Sequence, residues 1–326
     1  MSTQHTAAEY QAELTVSGRT QEAEGVVSLT LRHPDGRELP AWQPGAHIDL
    51  LLDGSRTRQY SLCGDPEDRS RWQIAVLREP DGVGRGGSAH VHATLTEGER
   101  VQVRGPRNHF ELRPARRYLF VAGGIGITPL LPMLAAAEAA GGEWTLLYGG
   151  RTRGSMAFLD RLTALDGGRG RITVAPQDET GLLDLDRALA AAGPDTLVYC
   201  CGPGPLLDAI EDRCRTRPPG TLRTERFTAR PADPDAVSDA FELVLQESGL
   251  TLTVAPGASI LQTVLDAGVQ VLYSCTEGTC GTCETEIVEG EADHRDSVLS
   301  AEEQAANETM MICVSRCRGR RLMLDL

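Results

Sequence analysis

Cys275-Thr276-Glu277-Gly278-Thr279-Cys280-Gly281-Thr282-Cys283 sets three thiols close together, and Cys313 lies 30 residues beyond the last of them. The spacing C-x4-C-x2-C with a distant fourth cysteine is the plant-type [2Fe–2S] arrangement. Four thiolates converge only if the backbone between them turns tightly, and Gly278 and Gly281 supply the needed dihedrals. Ser274, Thr276, Thr279 and Thr282 keep the loop small and polar, so its amides can point at the sulfurs. A four-cysteine zinc site is the rival reading, but zinc favours paired knuckles over three ligands in one loop. Buried structural cysteines are the bland alternative. Cys275, Cys280, Cys283 and Cys313 are therefore the expected metal ligands. Cys317, Cys63, Cys200 and Cys214 read as packed free thiols.

Outward from this loop, Phe241–Leu245 and Leu250–Val254 read as a hairpin about Glu247-Ser248-Gly249. A helix should run from Ser259 to about Ala267, and Ser300 with Glu303 has capping-box spacing for a short helix over 301–306. Residues 228–240 are poor in apolar side chains, hold Pro231 and Pro234, and read as a linker. Charge also changes there. Residues 233–326 hold 17 Asp and Glu against 5 Arg, a net of −12, while residues 1–232 hold 29 against 27, a net of −2.

A formal charge of −14 argues against nonspecific nucleic-acid binding. All 32 basic side chains are arginine, which excludes Schiff-base and P-loop lysines. No apolar run reaches about 18 residues, so no transmembrane helix is expected. Met1-Ser2-Thr3-Gln4-His5, with neither a basic nor an apolar region behind it, argues against a signal peptide. A soluble cytoplasmic protein is the expectation, and an odd count of nine cysteines argues against a disulfide framework.

Upstream of the linker, apolar strands alternate with helices, as in a parallel α/β domain. Strands are expected at 118–122, 144–148, 171–174 and 196–200. Helices are expected at about 128–140, 155–165, 184–191 and 204–214. Gly123-Gly124-Ile125-Gly126-Ile127-Thr128-Pro129 follows the first strand. Its glycines permit close approach of a diphosphate, and amides at the helix start can meet the charge. It is not the G-x-G-x-x-G fingerprint, and a turn that merely closes a βα unit is the bland alternative. Cys201-Gly202-Pro203-Gly204-Pro205 follows another strand, and two such turns point to one crevice. After strand 144–148 come Arg151 and Arg153, which could meet the extra phosphate of NADP, stack on adenine, or stand in solvent.

Residues 13–110 read as short strands with Gly/Pro turns, an antiparallel barrel with a helix near 88–95. Arg58-Gln59-Tyr60-Ser61 can bind phosphate, a ring edge and a polar ring atom. Gly84-Arg85-Gly86-Gly87-Ser88 could wrap a phosphate with amides, a hydroxyl and Arg85. Taken singly, a solvated strand arginine and a flexible hairpin explain them as well.

Taken in order, these segments resemble the phthalate dioxygenase reductase family, in the same broad group as vanillate demethylase reductase subunits, over nearly the whole chain. The resemblance implies a multidomain fold. An antiparallel flavin-binding β-barrel would span 1–112, a parallel α/β nicotinamide-binding domain 113–228, a linker 229–240, and a C-terminal α+β plant-type ferredoxin domain 241–326. It implies FMN, a [2Fe–2S] cluster and NADH, with NADPH as the alternative donor. Arg58, Tyr60 and Ser61 match the flavin motif, Arg85, Gly86, Gly87 and Ser88 the phosphate motif, and Gly124, Gly126 and Thr128 the diphosphate turn. Cys201, Gly202 and Pro203 match the turn beside the nicotinamide, and Ser61 with Cys201 would flank the ring contact where hydride passes. The chain's end, Leu322-Met323-Leu324-Asp325-Leu326, looks like the family's final strand. The implied partner is a terminal oxygenase component of the Rieske type, with a cytochrome P450 as the alternative. A monomer is expected, with no nucleic acid and no membrane.

Overall fold

Leu14 and Val16 lie two apart on a long strand, β1 (Gln11–Ala23), and both are fully buried. That period of two sets one face of a sheet toward a core. The other strands are β2 (Val26–Arg32), β3 (His47–Leu52), β4 (Arg56–Ser61), β5 (Trp72–Leu77) and β6 (Arg100–Arg107), with α1 (Gly87–Thr94) between β5 and β6. Their order is β4-β3-β6-β1-β2-β5, with neighbours antiparallel. The two edges meet: Leu62 bridges Ile74, and the Cys63 amide donates to the Gln73 carbonyl at 2.8 Å. The sheet thus closes into the expected barrel around Leu29, Leu31, Ile48, Leu50, Trp72 and Val103. The computed structural model describes residues 9–53, 56–80, 82, 85–230 and 239–326. Gly84 and most of the expected linker lie outside them.

The second sheet has strands β7 (Arg117–Gly123), β8 (Glu143–Gly150), β9 (Ile172–Pro176), β10 (Leu197–Cys201) and β11 (Leu222–Glu225) in the order β11-β10-β7-β8-β9. It is parallel across β10, β7, β8 and β9. Chain order reverses between β7 and β10, which makes their C-terminal ends a switch point where ligands bind. The helices are α2 (Ile127–Ala139), α3 (Leu159–Asp166), α4 (Gln177–Thr180), α5 (Leu185–Ala192) and α6 (Gly204–Cys214). Residues 118–122 are all buried, as a strand covered on both faces must be. Helix α3 begins four residues later than expected. Thr152 and Ser155 cap each other around a 3-10 turn, and Phe158 takes φ 62°, burying its ring before the helix starts.

Barrel and parallel sheet share one core. Cys63, Ala75 and Phe110 of the barrel side pack with Phe120, Leu130, Tyr148 and Tyr199. The Tyr199 hydroxyl donates to the Glu111 carbonyl at 3.0 Å and accepts the Arg113 amide at 2.7 Å. Each large apolar side chain buried this way contributes about 1.5–3 kcal/mol. The chain divides into two compact units, Met1–Thr224, which holds both the barrel and the parallel sheet, and Glu225–Leu326.

The second unit has β12 (Phe241–Leu245), β13 (Leu250–Val254), α7 (Ile260–Asp266), β14 (Glu284–Glu289), β15 (Ala292–Asp293), α8 (Ala301–Ala306), β16 (Thr309–Met311), β17 (Arg316–Cys317) and β18 (Arg321–Leu324). The main sheet runs β13-β12-β18-β14-β16, with β12 and β18 parallel. Ser300 and Glu303 form the expected capping box. Among the described residues no helix is long and apolar enough to cross a membrane.

Candidate functional site

The loop between α7 and β14 carries Cys275, Cys280 and Cys283, and the residues after β16 bring Cys313 beside them. All four are buried, at 2, 2, 5 and 7% exposure. The loop turns back on itself through three left-handed residues, Thr276 (φ 58°), Gly278 (φ 68°) and Gly281 (φ 73°). At Gly278 a side chain would strike Val314 Cγ2 at 2.6 Å, so glycine is required by packing as well as by dihedral. Amides of Glu277 and Thr279 donate to Cys275 Sγ at 3.3 and 3.4 Å, and the Cys275 amide donates to Cys280 Sγ at 3.5 Å.

The thiols lie within hydrogen-bonding reach of one another, in a line from Cys280 through Cys275 and Cys313 to Cys283. Accepting a hydrogen bond from Cys280 draws Cys275 below the ordinary thiol range, and Cys313 does the same for Cys283. Cys280 and Cys313, hydrogen-bonded to Cys275, are pushed up. Four thiols in a row, with backbone amides on their sulfurs, fit a larger group shared between pairs of thiolates.

In the first unit, the two glycine turns meet at the switch point. A side chain on Gly126 would lie 2.2 Å from the Cys201 carbonyl oxygen, and one on Gly123 would lie 2.7 Å from Pro203 Cδ. Gly202 packs on Gly123 in the same way, with a Cβ only 3.0 Å from the Gly123 Cα. Gly124, at φ 54°, faces open space. The turns after β7 and β10 are thus in backbone contact, and the surface beside Gly124 is bare enough for a diphosphate to approach. Thr128 is buried and its hydroxyl donates to the Ile125 carbonyl at 3.0 Å, so the amide is what it can present. Cys201 is fully buried at the end of β10. Arg151 is exposed, and Arg153 is gripped by Glu179 of α4.

The barrel residues also converge. Arg58 Nη2 donates to the Arg85 carbonyl at 2.7 Å, and Arg56 Nη1 to that of Gly86 at 3.3 Å. A side chain on Gly87 would strike Arg58 Cγ at 2.5 Å, so Arg58 lies across the bare backbone where α1 starts. Ser88 is buried and its hydroxyl accepts the Glu79 amide at 3.1 Å. Burial pushes the Tyr60 phenol above its ordinary value. Ser61 is only 5% exposed, yet its hydroxyl has no hydrogen-bond partner among the described residues. A buried orphan hydroxyl carries a desolvation cost unless a ligand satisfies it. The helix-start amides, the arginine beside them and this hydroxyl fit a phosphate joined to a polar ring.

Residues 243–318 match the model of the 2Fe-2S iron-sulfur cluster binding domain, and residues 120–212 that of the oxidoreductase NAD-binding domain. The chain is 44% identical over 306 residues to the phenoxybenzoate dioxygenase subunit beta of Ectopseudomonas oleovorans, covering 93% of this chain and 94% of that protein. The solved structure of phthalate dioxygenase reductase, described as a modular structure for electron transfer from pyridine nucleotides to [2Fe-2S], matches with TM-score 0.69 and 37% identity. It covers 97% of this chain and 98% of that one. The chain belongs to the phthalate dioxygenase reductase family. An intact type IV self-sufficient cytochrome P450 monooxygenase also matches, with TM-score 0.90 and 44% identity over 97% of this chain. The chain spans 41% of that protein's length. As a member of the phthalate dioxygenase reductase family it is an NAD(P)H-dependent flavin and iron–sulfur oxidoreductase, with FMN, NADH and a [2Fe–2S] cluster as its redox groups.

Two residues at these sites went unnoticed in the sequence. Asp296 packs its backbone against Gly278 of the cysteine loop and accepts the Val298 and Leu299 amides at 3.0 and 2.8 Å. Only its spacing before a turn could have flagged it. Glu179 sits in the short acidic run Gln177-Asp178-Glu179-Thr180 that follows β9, at the C-terminal end of that strand. Its position one strand beyond the arginine turn was the available signal.

Proposed function

We propose that this chain is the reductase component of a multicomponent oxygenase, taking electrons pairwise from NADH and delivering them singly to a terminal oxygenase of the Rieske type. The observation that carries the proposal is the presence, in one chain, of converging arginine, glycine and serine groups at the barrel, two glycine turns in contact at a switch point, and a four-thiol loop. When bound, the flavin supplies exchange between paired and single electrons, and the cluster supplies one-electron relay. In this reading Arg58, Arg85, Gly86, Gly87 and Ser88 hold the flavin phosphate. Tyr60 lies along the ring, and Ser61 offers its unpartnered hydroxyl to the ring edge. Gly124, Gly126, Thr128 and Gly202 let the diphosphate approach, while Cys201 and Pro203 bound the nicotinamide end. Arg151 and Arg153 lie at the adenosine end. Cys275, Cys280, Cys283 and Cys313 hold the cluster. No general base is needed, because the protein's part is placement and exclusion of water. Cysteines grouped for a cluster, in a chain with an odd count of nine, fit a reducing cytoplasmic setting better than a disulfide framework.

The test is anaerobic. NADH added to the reconstituted full chain should bleach the flavin absorbance and then the cluster absorbance. A chain that binds the cluster without flavin, or binds both and is not reduced by NADH, overturns the proposal. A second acceptor has one observation behind it, the P450 monooxygenase in which a similar segment makes up less than half of the chain. NADH-driven reduction of a purified Rieske oxygenase, compared with a purified P450, separates the two acceptors.

A further inference from the structure

The choice between NADH and NADPH can be located, given the reading of the parallel sheet as the NADH site. Four turns stand along its C-terminal edge in strand order: Cys201-Gly202 after β10, 123–126 after β7, Arg151 to Ser155 after β8, and α4 after β9. Neighbouring strands lie about 4.8 Å apart, so the outer turns are separated by about 14 Å. An extended dinucleotide bridges such a gap. With its nicotinamide end over β10 and β7, its adenosine ribose lies over β8 and β9.

At that end the guanidinium of Arg153 is already engaged. Its Nε and Nη2 donate to Glu179 Oε1 and Oε2 at 3.1 and 2.7 Å, a two-pronged pairing. Both partners are held from behind. Thr152 and Ser155 fix the Arg153 turn by capping each other. The Asp178 amide donates to the Arg151 carbonyl at 3.2 Å, tying α4 to that turn. The pair is half exposed, so a ligand can reach it. Hydrogen bonds from Arg153 hold the Glu179 carboxyl below its ordinary value, so it is ionised at neutral pH.

We propose that Glu179 makes this chain select NADH, by occupying the Arg153 guanidinium that a ribose 2′-phosphate would otherwise use. A 2′-phosphate must displace the carboxylate and then lie beside its negative charge. A ribose diol meets neither obstacle, since it can donate to the carboxylate where it stands. Glu179 thus acts through Arg153 against a 2′-phosphate and directly on a ribose diol.

Equilibrium binding tests this on the full chain carrying its flavin and cluster. NAD+, NADP+, ADP and 2′,5′-ADP are titrated by calorimetry into wild type, Glu179→Gln, and Glu179→Gln combined with Arg153→Ala. Removing the carboxylate's charge should raise affinity for NADP+ and 2′,5′-ADP relative to NAD+ and ADP by roughly fivefold. The gain should disappear when Arg153 is also removed. In steady state it should fall in the KM for NADPH rather than in kcat. An NADP+ to NAD+ affinity ratio unchanged by Glu179→Gln, or a gain that survives loss of Arg153, overturns the proposal. Failure of wild type to be reduced by NADH would instead overturn the functional reading, and the binding ratios would still judge the role of Glu179.

Discussion

The cysteine loop draws three of its four thiols from a single stretch, whereas the crevice of the first unit collects its groups from the ends of β4, β7, β8 and β10 and the start of α1. The first kind of site is specified locally: left-handed backbone at Thr276, Gly278 and Gly281 turns the thiols inward wherever the rest of the unit lies. The second kind exists only once the barrel has closed and the parallel sheet has formed, because each strand contributes one or two groups. A local site should fail completely when a ligand is lost and leave the other unit alone. An assembled site should fail by degrees, according to how tightly its turns are packed.

The largest effect separates the two units. Cys283→Ser removes one of four thiolates, and the cluster's visible absorbance and its low-temperature EPR signal should vanish. Flavin content and the rate of flavin reduction by NADH should remain as in wild type. Loss of flavin reduction in the same variant would show that the two sites are not separable. Cys317→Ser, which removes a half-exposed thiol outside the row, should keep the cluster signal.

Within the crevice, two neighbouring glycines should behave differently. Gly126→Ala forces a methyl within 2.2 Å of a backbone oxygen, and neither side can yield without moving a turn. We expect a stability loss above about 3 kcal/mol by chemical denaturation. NADH-dependent flavin reduction should slow by about a hundredfold, the cost of misplacing a bound reactant by about 1 Å. Gly124→Ala meets no atom and bears only the left-handed backbone penalty, about 1 kcal/mol. Equal losses in both variants would remove the claim that the two turns support each other.

Ser61→Ala sharpens the distinction between site and scaffold. If the orphan hydroxyl served folding, its loss would destabilise the flavin-free protein. Because it is buried and unpartnered there, its removal should leave that form equally stable or up to about 1 kcal/mol more stable. The loaded protein should lose about tenfold in the rate of flavin reduction, one hydrogen bond's worth. Arg58→Ala should act on retention instead, lowering flavin content after extended dialysis. Wild-type rate and retention in these variants would remove both residues from the site.

Legibility followed the same division. The grouping of Cys275, Cys280, Cys283 and Cys313 could be read directly, since spacing alone carries most of it. The strands at 72–77, 241–245 and 250–254 and the helices at 204–214 and 301–306 agree closely with the sequence pattern, because burial period and caps are local signals. The motifs at 58–61 and 123–128 were readable as segments, but not the contact of Gly126 with Cys201 or of Gly87 with Arg58, which depends on strand order. The start of α3 was misplaced because Phe158 adopts a backbone that sequence period does not reveal. The union of barrel and parallel sheet in one unit rests on a shared core contributed by distant residues, and nothing local announces it. Glu179 was hidden for the same reason: its partner Arg153 lies on the neighbouring strand's turn.

The smallest effect concerns charge, where the units differ most in composition. The second carries most of the net charge, with 17 acids against 5 arginines from residue 233 onward. Pairing within the unit cannot neutralise that excess, although Arg318 meets Glu291 at 3.0 Å and Arg321 meets Glu242 at 3.2 Å. Glu284 and Glu286 stand exposed on either side of buried Thr285 on β14, the strand that leaves the cysteine loop. Exposed Glu302, Glu303 and Glu308 add to the same unit. An oxygenase with a basic docking face would be drawn to such a surface, and its encounter rate should fall as salt shortens the screening length from about 10 Å at 0.1 M toward about 3 Å at 1 M. Transfer from NADH to flavin depends on ring placement inside a preformed crevice and should change little over that range. Stopped-flow traces at the two salt levels resolve the steps: partner reduction should slow several-fold while flavin and cluster reduction hold steady. If partner reduction kept its rate, the acids would serve solubility and docking would rest on apolar contact. If flavin reduction slowed as much as partner reduction, salt would be acting on the crevice itself, and the contrast between a charged delivery unit and a close-packed receiving unit would not hold.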